Sequence, residues 1–131
     1  AVEIAIDEMD SENKKYKKWT DTMLEKFSAV GGKLNGHLTN RLVHNLNIRF
    51  DGVQSKSIIN TVSKKLAISA GSACTSDLVE PSHVLLALGL NEGQAHNSIR
   101  IGCNRYNIDE EIDFAINEIL NALESLAKIR V

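Results

Sequence analysis

Met9, Tyr16, Trp19, Met23, Phe27 and Val30 recur at steps of seven, three, four, four and three residues. Those steps put all six on one face of a single helix over about 2–29, which Gly31-Gly32 then stops. One long apolar stripe is not stable by itself, so the rest of the chain has to cover it. Lys14, Lys15, Lys17 and Lys18 fall mostly off the stripe and read as solvated helix surface.

The cover comes from short strands and further helices. Over 42–50 the even positions Leu42, His44, Leu46, Ile48 and Phe50 alternate with mostly polar odd ones, the pattern of a half-buried strand closed by Asp51-Gly52. His44 lies on the apolar face and reads as a core or edge residue rather than a ligand. Ile58, Ile59, Val62 and Leu66 mark a helix over 55–65, and Leu66, Ile68 and Ala70 share one face of a second strand ended by Gly71. Pro81 suits the first position of a helix over 81–88, which is apolar nearly throughout and so is expected to be buried, with Gly89 as its cap. A short helix over 92–96 precedes a third strand over 98–103. There Ile99, Ile101 and Cys103 point one way and Ser98, Arg100 and Gly102 the other. Asn107 and Glu110 form a capping-box pattern for a last helix, acidic in its first turn and carrying Lys128 and Arg130 at its end. Its core face is Ile112, Ala115, Ile116, Ile119, Leu120, Leu123, Leu126 and Ala127. The expected architecture is one α+β domain, a small three-stranded sheet packed against long helices, with no repeat or linker.

The chain of 131 residues is long enough to bury a core without disulfide staples. Its 15 basic and 17 acidic residues are well mixed, which gives no electrostatic case for direct contact with nucleic acid or an anionic membrane. No apolar run approaches the roughly 18 residues of a membrane span, and the N-terminus lacks a signal pattern. With two cysteines, a reducing cytoplasm is the expected compartment. The chain enters directly on a helical pattern at Ala1 with no Met, as expected of a processed chain or a piece of a longer one.

Two residues stand out chemically. Cys74 sits at the centre of 69–81, among Ser72, Ala73, Thr75 and Ser76, which are too small to bury it. The stretch reads as a mobile loop that presents a thiol. Asp77 and Glu80 would not lower its pKa, and no histidine lies within eight residues, so the residues alone favour an inert cysteine. Arg100, turned away from the apolar side of its strand, is either a bidentate carboxylate clamp or one half of a surface ion pair. Cys103 alternates with buried isoleucines and reads as core. Cys74 and Cys103 could in principle pair, but the reducing compartment argues against it; a metal shared with His83 and His96 lacks any supporting spacing, and no metal is expected.

Four stretches change the balance: Ser-Ala-Gly-Ser-Ala-Cys-Thr-Ser at 69–76, Glu-Pro-Ser-His-Val-Leu-Leu-Ala-Leu-Gly-Leu at 80–90, Ala-His-Asn-Ser-Ile-Arg at 95–100 and Asn-Arg-Tyr-Asn-Ile-Asp-Glu-Glu-Ile-Asp at 104–113. They resemble the C-terminal part of cysteine desulfurases of the NifS/IscS-like class. Ile-Ala-Ile-Asp-Glu-Met at 4–9 and Asn-Leu-Asn-Ile-Arg-Phe at 45–50 extend the resemblance over essentially the whole chain. It implies the small C-terminal domain of a fold-type I, pyridoxal-phosphate-dependent homodimer, with 1–29 as its long N-terminal helix and the large cofactor-binding domain lying outside this chain. It further implies that Cys74 accepts sulfur from L-cysteine as a persulfide, leaving L-alanine, and that Arg100 binds the substrate carboxylate. The cofactor, as electron sink, is held by the large domain. The isolated domain is then expected to bind no pyridoxal phosphate and to be inactive.

Departures from the resemblance lie at Val43-His44, Ser55-Lys56 and Gly102-Cys103-Asn104. The acceptor protein it implies stays open between iron–sulfur assembly, RNA thiolation and DNA phosphorothioation, the last served by a desulfurase of this class, DndA. A preference for selenocysteine also stays open. A reading from a different class is a non-catalytic sulfur-relay or interaction module of the same fold.

Overall fold

The computed structural model describes residues 2–70 and 80–128. Helix α1 (Val2–Ser28) opens the chain, followed by β1 (Gly32–Leu34), β2 (Asn45–Phe50), α2 (Ser55–Val62), β3 (Ser69–Ala70), α3 (His83–Ala87), α4 (Glu92–His96), β4 (Ser98–Gly102) and α5 (Asp109–Lys128). The strands form one antiparallel sheet in the order β1-β2-β4-β3. The α+β architecture is as expected, but the sheet has four described strands rather than three. β1 escapes a periodicity reading because three residues cannot show an alternation.

One face of the sheet is apolar and carries the helices. Leu46, Ile48 and Phe50 of β2 and Ile99 and Ile101 of β4 are buried there against Tyr16, Trp19, Met23 and Phe27 of α1 and Ile112, Ile116 and Ile119 of α5. Phe27 is fully buried and meets Phe50 edge-on, with ring centroids 5.9 Å apart. The stripe is shorter than its spacing suggests, because Met9 and Val30 are exposed. On α5, Ala122 is buried where Ala127, assigned to the core, is exposed.

Gly31 and Gly32 do end α1, by different means. Gly31 takes a positive φ of 89° and donates its N–H to Ser28 O at 3.1 Å. At Gly32 a Cβ would lie 2.7 Å from Phe27 O, 2.9 Å from Ile48 Cδ1 and 2.9 Å from Phe50 Cε1. Gly32→Ala is therefore expected to cost about 2 kcal/mol, as overpacking of a core does. Urea unfolding measures it, and an unchanged midpoint would count against this packing.

Lys14, Lys17 and Lys18 are exposed as expected and Lys15 is half-buried, and two of the four also reach the turn before α5. Lys15 Nζ donates to Asn107 O at 2.8 Å and lies 4.5 Å from the Trp19 ring centroid, while Lys18 Nζ pairs with Asp109 Oδ2 at 2.8 Å. Trp19 Nε1 donates to Asp109 Oδ1 at 2.5 Å, and Arg105 reaches Glu8 and Glu12 at 3.0 Å each. These contacts clamp α1 onto the turn that leads into α5. The cap of α5 is also displaced by one residue. Glu111, not Glu110, accepts from the Ile108 N–H at 3.3 Å and from Asn107 Nδ2 at 3.0 Å.

Other boundaries contract. The strand expected over 42–50 begins at Asn45, with Leu42 65% exposed in the preceding turn. Helix α2 ends at Val62, the strand expected over 66–70 forms its ladder at Ser69 and Ala70, and β4 stops at Gly102. Helix α3 starts at His83 and is not buried: Leu85 is, but Val84, Leu86 and Leu88 are exposed. Among the described residues no helix is long and apolar enough to cross a membrane.

Candidate carboxylate-binding site on the polar face of the sheet

The sheet face away from the helices is polar. Side chains of directly paired residues share a face, so the odd positions Asn45, Asn47 and Arg49 of β2 stand with Gly102, Arg100 and Ser98 of β4. Ser69 of β3 pairs with Arg100 from the other side, and Lys33 of β1 pairs with Arg49. Arg100 thus sits between Asn47 and Ser69 in one row across three strands, exposed, as the alternation in its strand predicts.

The charges on this face are unevenly committed. Lys33 Nζ reaches Asp51 Oδ2 at 2.6 Å and Arg49 Nε reaches Asp51 Oδ1 at 3.1 Å. The Lys33 hydrogen bond, seconded by Arg49, holds the Asp51 carboxyl below its ordinary pKa. Arg49 Nη1 also donates to Asn35 Oδ1 at 3.0 Å. Among the described residues no carboxylate lies within ion-pair distance of Arg100. Beside it on the same face, Gly102 leaves open space where a Cβ would stand. An exposed guanidinium with five fixed donors and a clear approach is suited to a planar carboxylate.

Beside Arg100 runs a hydrogen-bonded set that the sequence did not single out. Asn35, buried just beyond β1, donates through Nδ2 to Asn47 Oδ1 at 2.7 Å and to Ser98 Oγ at 2.8 Å. Ser98 Oγ in turn donates to Gln94 O at 2.8 Å. The polar odd positions of β2 were the signal for Asn47. Asn35 carried none, because its partner is fixed by strand pairing across the β1–β2 turn.

Cys74 lies in 71–79, outside the described residues; of the loop expected over 69–81, Ser69 and Ala70 are described and belong to β3. In sequence Cys74 follows β3, whose Ser69 is the direct partner of Arg100. Cys103 is buried at 7% exposure on the apolar side, and burial pushes its thiol pKa up. His44 packs edge-on against Tyr16, their ring centroids 6.0 Å apart. Among the described residues no group of three or more His, Cys, Asp and Glu side chains could hold a metal. Lys33, on the polar face, is paired with Asp51.

The chain is similar to known proteins over nearly its whole length. The cysteine desulfurase IscS of Methylobacillus flagellatus is 42% identical over 130 residues, covering 98% of this chain and 32% of that protein. The cysteine desulfurase IscS of Pseudomonas aeruginosa is 41% identical over 133 residues, again 98% of this chain and 32% of the relative. The chain therefore spans about a third of the length of the curated relatives it matches. A solved NifS-like protein shares the fold, with a TM-score of 0.79 over 93% of this chain and 31% of that one at 24% identity. The model of the family described as aminotransferase class-V matches residues 2–114, which hold all four described strands, α1–α4 and the start of α5, and the chain belongs to that family.

Proposed function

We propose that this chain is the small C-terminal domain of a pyridoxal-phosphate-dependent cysteine desulfurase of the NifS/IscS-like class. The observation that carries the reading is the position of Arg100. It is exposed, without an acidic partner among the described residues, and paired to Ser69, five residues before Cys74 in the chain. The similarity to cysteine desulfurases over 98% of the chain supports it.

In this reading the remaining length of the full protein holds pyridoxal phosphate, which supplies the electron sink for cleavage of the substrate Cβ–S bond. This chain contributes two groups. Arg100 binds the carboxylate of L-cysteine and so fixes where its sulfur lies. Cys74, as thiolate, forms an S–S bond to that sulfur while the Cβ–S bond breaks. The electron pair of the broken bond stays on Cβ, which takes a proton. One thiol and one L-cysteine become one persulfide and one L-alanine, and no outside oxidant or reductant is required. The enzyme works as a cytoplasmic homodimer and passes the sulfur to an acceptor protein, in iron–sulfur assembly, RNA thiolation or DNA phosphorothioation.

A single-turnover experiment on the full-length enzyme loaded with pyridoxal phosphate tests this. L-Cysteine without reductant is expected to give L-alanine and protein-bound sulfur in equal amounts. Absence of alanine would rule the reading out.

A further inference from the structure

Among the described residues nothing covers the apolar face in the first half of α1. Every α1 residue of the buried core lies at Tyr16 or beyond. Ile6 and Met9 are both exposed. With Asn13 and Tyr16 they follow at steps of three, four and three, which places all four on one helix face. That face continues the buried stripe toward the start of the helix. The same half is acidic: Val2 to Asn13 hold five carboxylates and no basic residue. Glu8 and Glu12 are taken up by Arg105, while Glu3, Asp7 and Asp10 form no ion pair among the described residues.

At Tyr16 this face runs into an open cleft. Asn13 of α1 and Tyr106 of the turn before α5 line it, together with His44 and the buried Tyr16 and Cys103. The turn is fixed against α1. Arg105 reaches Glu8 and Glu12 at 3.0 Å each, and Lys15 Nζ donates to Arg105 O at 3.3 Å and to Asn107 O at 2.8 Å. The Tyr106 N–H donates to Asn104 Oδ1 at 2.9 Å, so its main chain is held while its side chain stays 85% exposed. A large aromatic presented by a fixed turn, beside an open apolar stripe and a cleft, has the make-up of an interface anchor.

We propose that Ile6, Met9 and Tyr106, with the cleft between them, seat the cofactor-holding part of the same protein, through an apolar surface rimmed with lysine or arginine. The proposal rests on the reading of this chain as one domain of a longer enzyme. Length and charge choose this occupant. The curated relatives are about three times as long as this chain, and a part joined covalently meets the face at high effective concentration. A second copy packed about a two-fold axis would set this face against itself and bring Glu3, Asp7 and Asp10 against like charges. The seat has a consequence for the site. Trp19, Met23 and Phe27 bind α1 to the apolar side of the sheet, so docking of its first half fixes where the sheet holds Arg100 relative to the cofactor.

The test uses the full-length enzyme carrying Met9→benzoylphenylalanine, a photo-crosslinking side chain. Irradiation is expected to join position 9 to a peptide from outside residues 1–131 of the same molecule, at unchanged monomer mass on a denaturing gel. Crosslinked dimers would give the face to a second copy. Crosslinks confined to 1–131, or none, would leave it bare. Each of these overturns the proposal. Met9→Lys is expected to speed amide hydrogen exchange over 6–13 about tenfold or more, as in a helix that has lost its packing. Val84→Lys, at an exposed apolar position on α3, should leave that exchange unchanged. An unchanged rate in Met9→Lys also overturns the proposal. If the full-length protein binds pyridoxal phosphate and forms alanine but gives no such crosslink, this inference alone fails. If the crosslink forms in a protein that binds no pyridoxal phosphate and forms no alanine, the desulfurase reading fails and the docking stands.

Discussion

Cys74→Ser in the full-length enzyme is expected to abolish persulfide formation and to lower L-alanine production by about a thousandfold or more. A hydroxyl is far less nucleophilic toward sulfur than a thiolate and cannot carry a stable persulfide. The other cysteine cannot take over. Cys103 is 7% exposed, its thiol is pushed toward the protonated form by burial, and it packs on the helix-covered side of the sheet, opposite Arg100. Its N–H is also tied to His44 O at 2.9 Å, so the main chain at that point is part of the ladder. The measurement is the intact mass of the protein after a brief exposure to L-cysteine, read as gain of one sulfur atom. Retention of that gain in Cys74→Ser would defeat the assignment. So would its loss in Cys103→Ser with Cys74 intact, which would move the acceptor to a residue described here as core.

The sequence made some of this readable and left the rest to pairing in space. The 3.6-residue period found Tyr16, Trp19, Met23 and Phe27, because residues on one helix face meet one sheet whatever else the fold does. It failed at Met9, since periodicity says which face is apolar and not how far the covering sheet extends, and at Val30, which lies beyond the end of α1. Helix α3 failed for a related reason: an apolar composition calls for a partner without supplying one, and among the described residues only Leu85 of that helix is buried. At the site, alternation in one strand was enough to turn Arg100 away from the core. Which described side chains would stand beside it was not readable, because surface neighbours are set by ladder register. Asn35 was invisible for the same reason, lying twelve residues from Asn47 in sequence and 2.7 Å from it in space. The chemistry of Cys74 was not legible from its neighbours at all. No base or cation accompanies it in sequence, and only the surrounding motifs gave it a role.

Arg100→Ala in the full-length enzyme is expected to lower kcat/KM for L-cysteine by roughly a hundredfold to a thousandfold, within the 2–5 kcal/mol typical of truncating one side of a hydrogen-bonded charge pair. Arg100→Lys should recover only part of this, because an ammonium offers a point charge where the guanidinium offers a planar fork. The same substitutions should hardly alter stability. Arg100 is exposed and makes no ion pair among the described residues, and such surface changes fall within about 0.5 kcal/mol. That contrast gives the prediction its force. A residue that merely covered the sheet would lose stability before activity, whereas a carboxylate clamp loses substrate affinity at constant stability. Denaturation midpoints measured beside steady-state kinetics separate the two. If Arg100→Ala keeps its kcat/KM within about threefold of the parent, the polar face does not bind the substrate carboxylate.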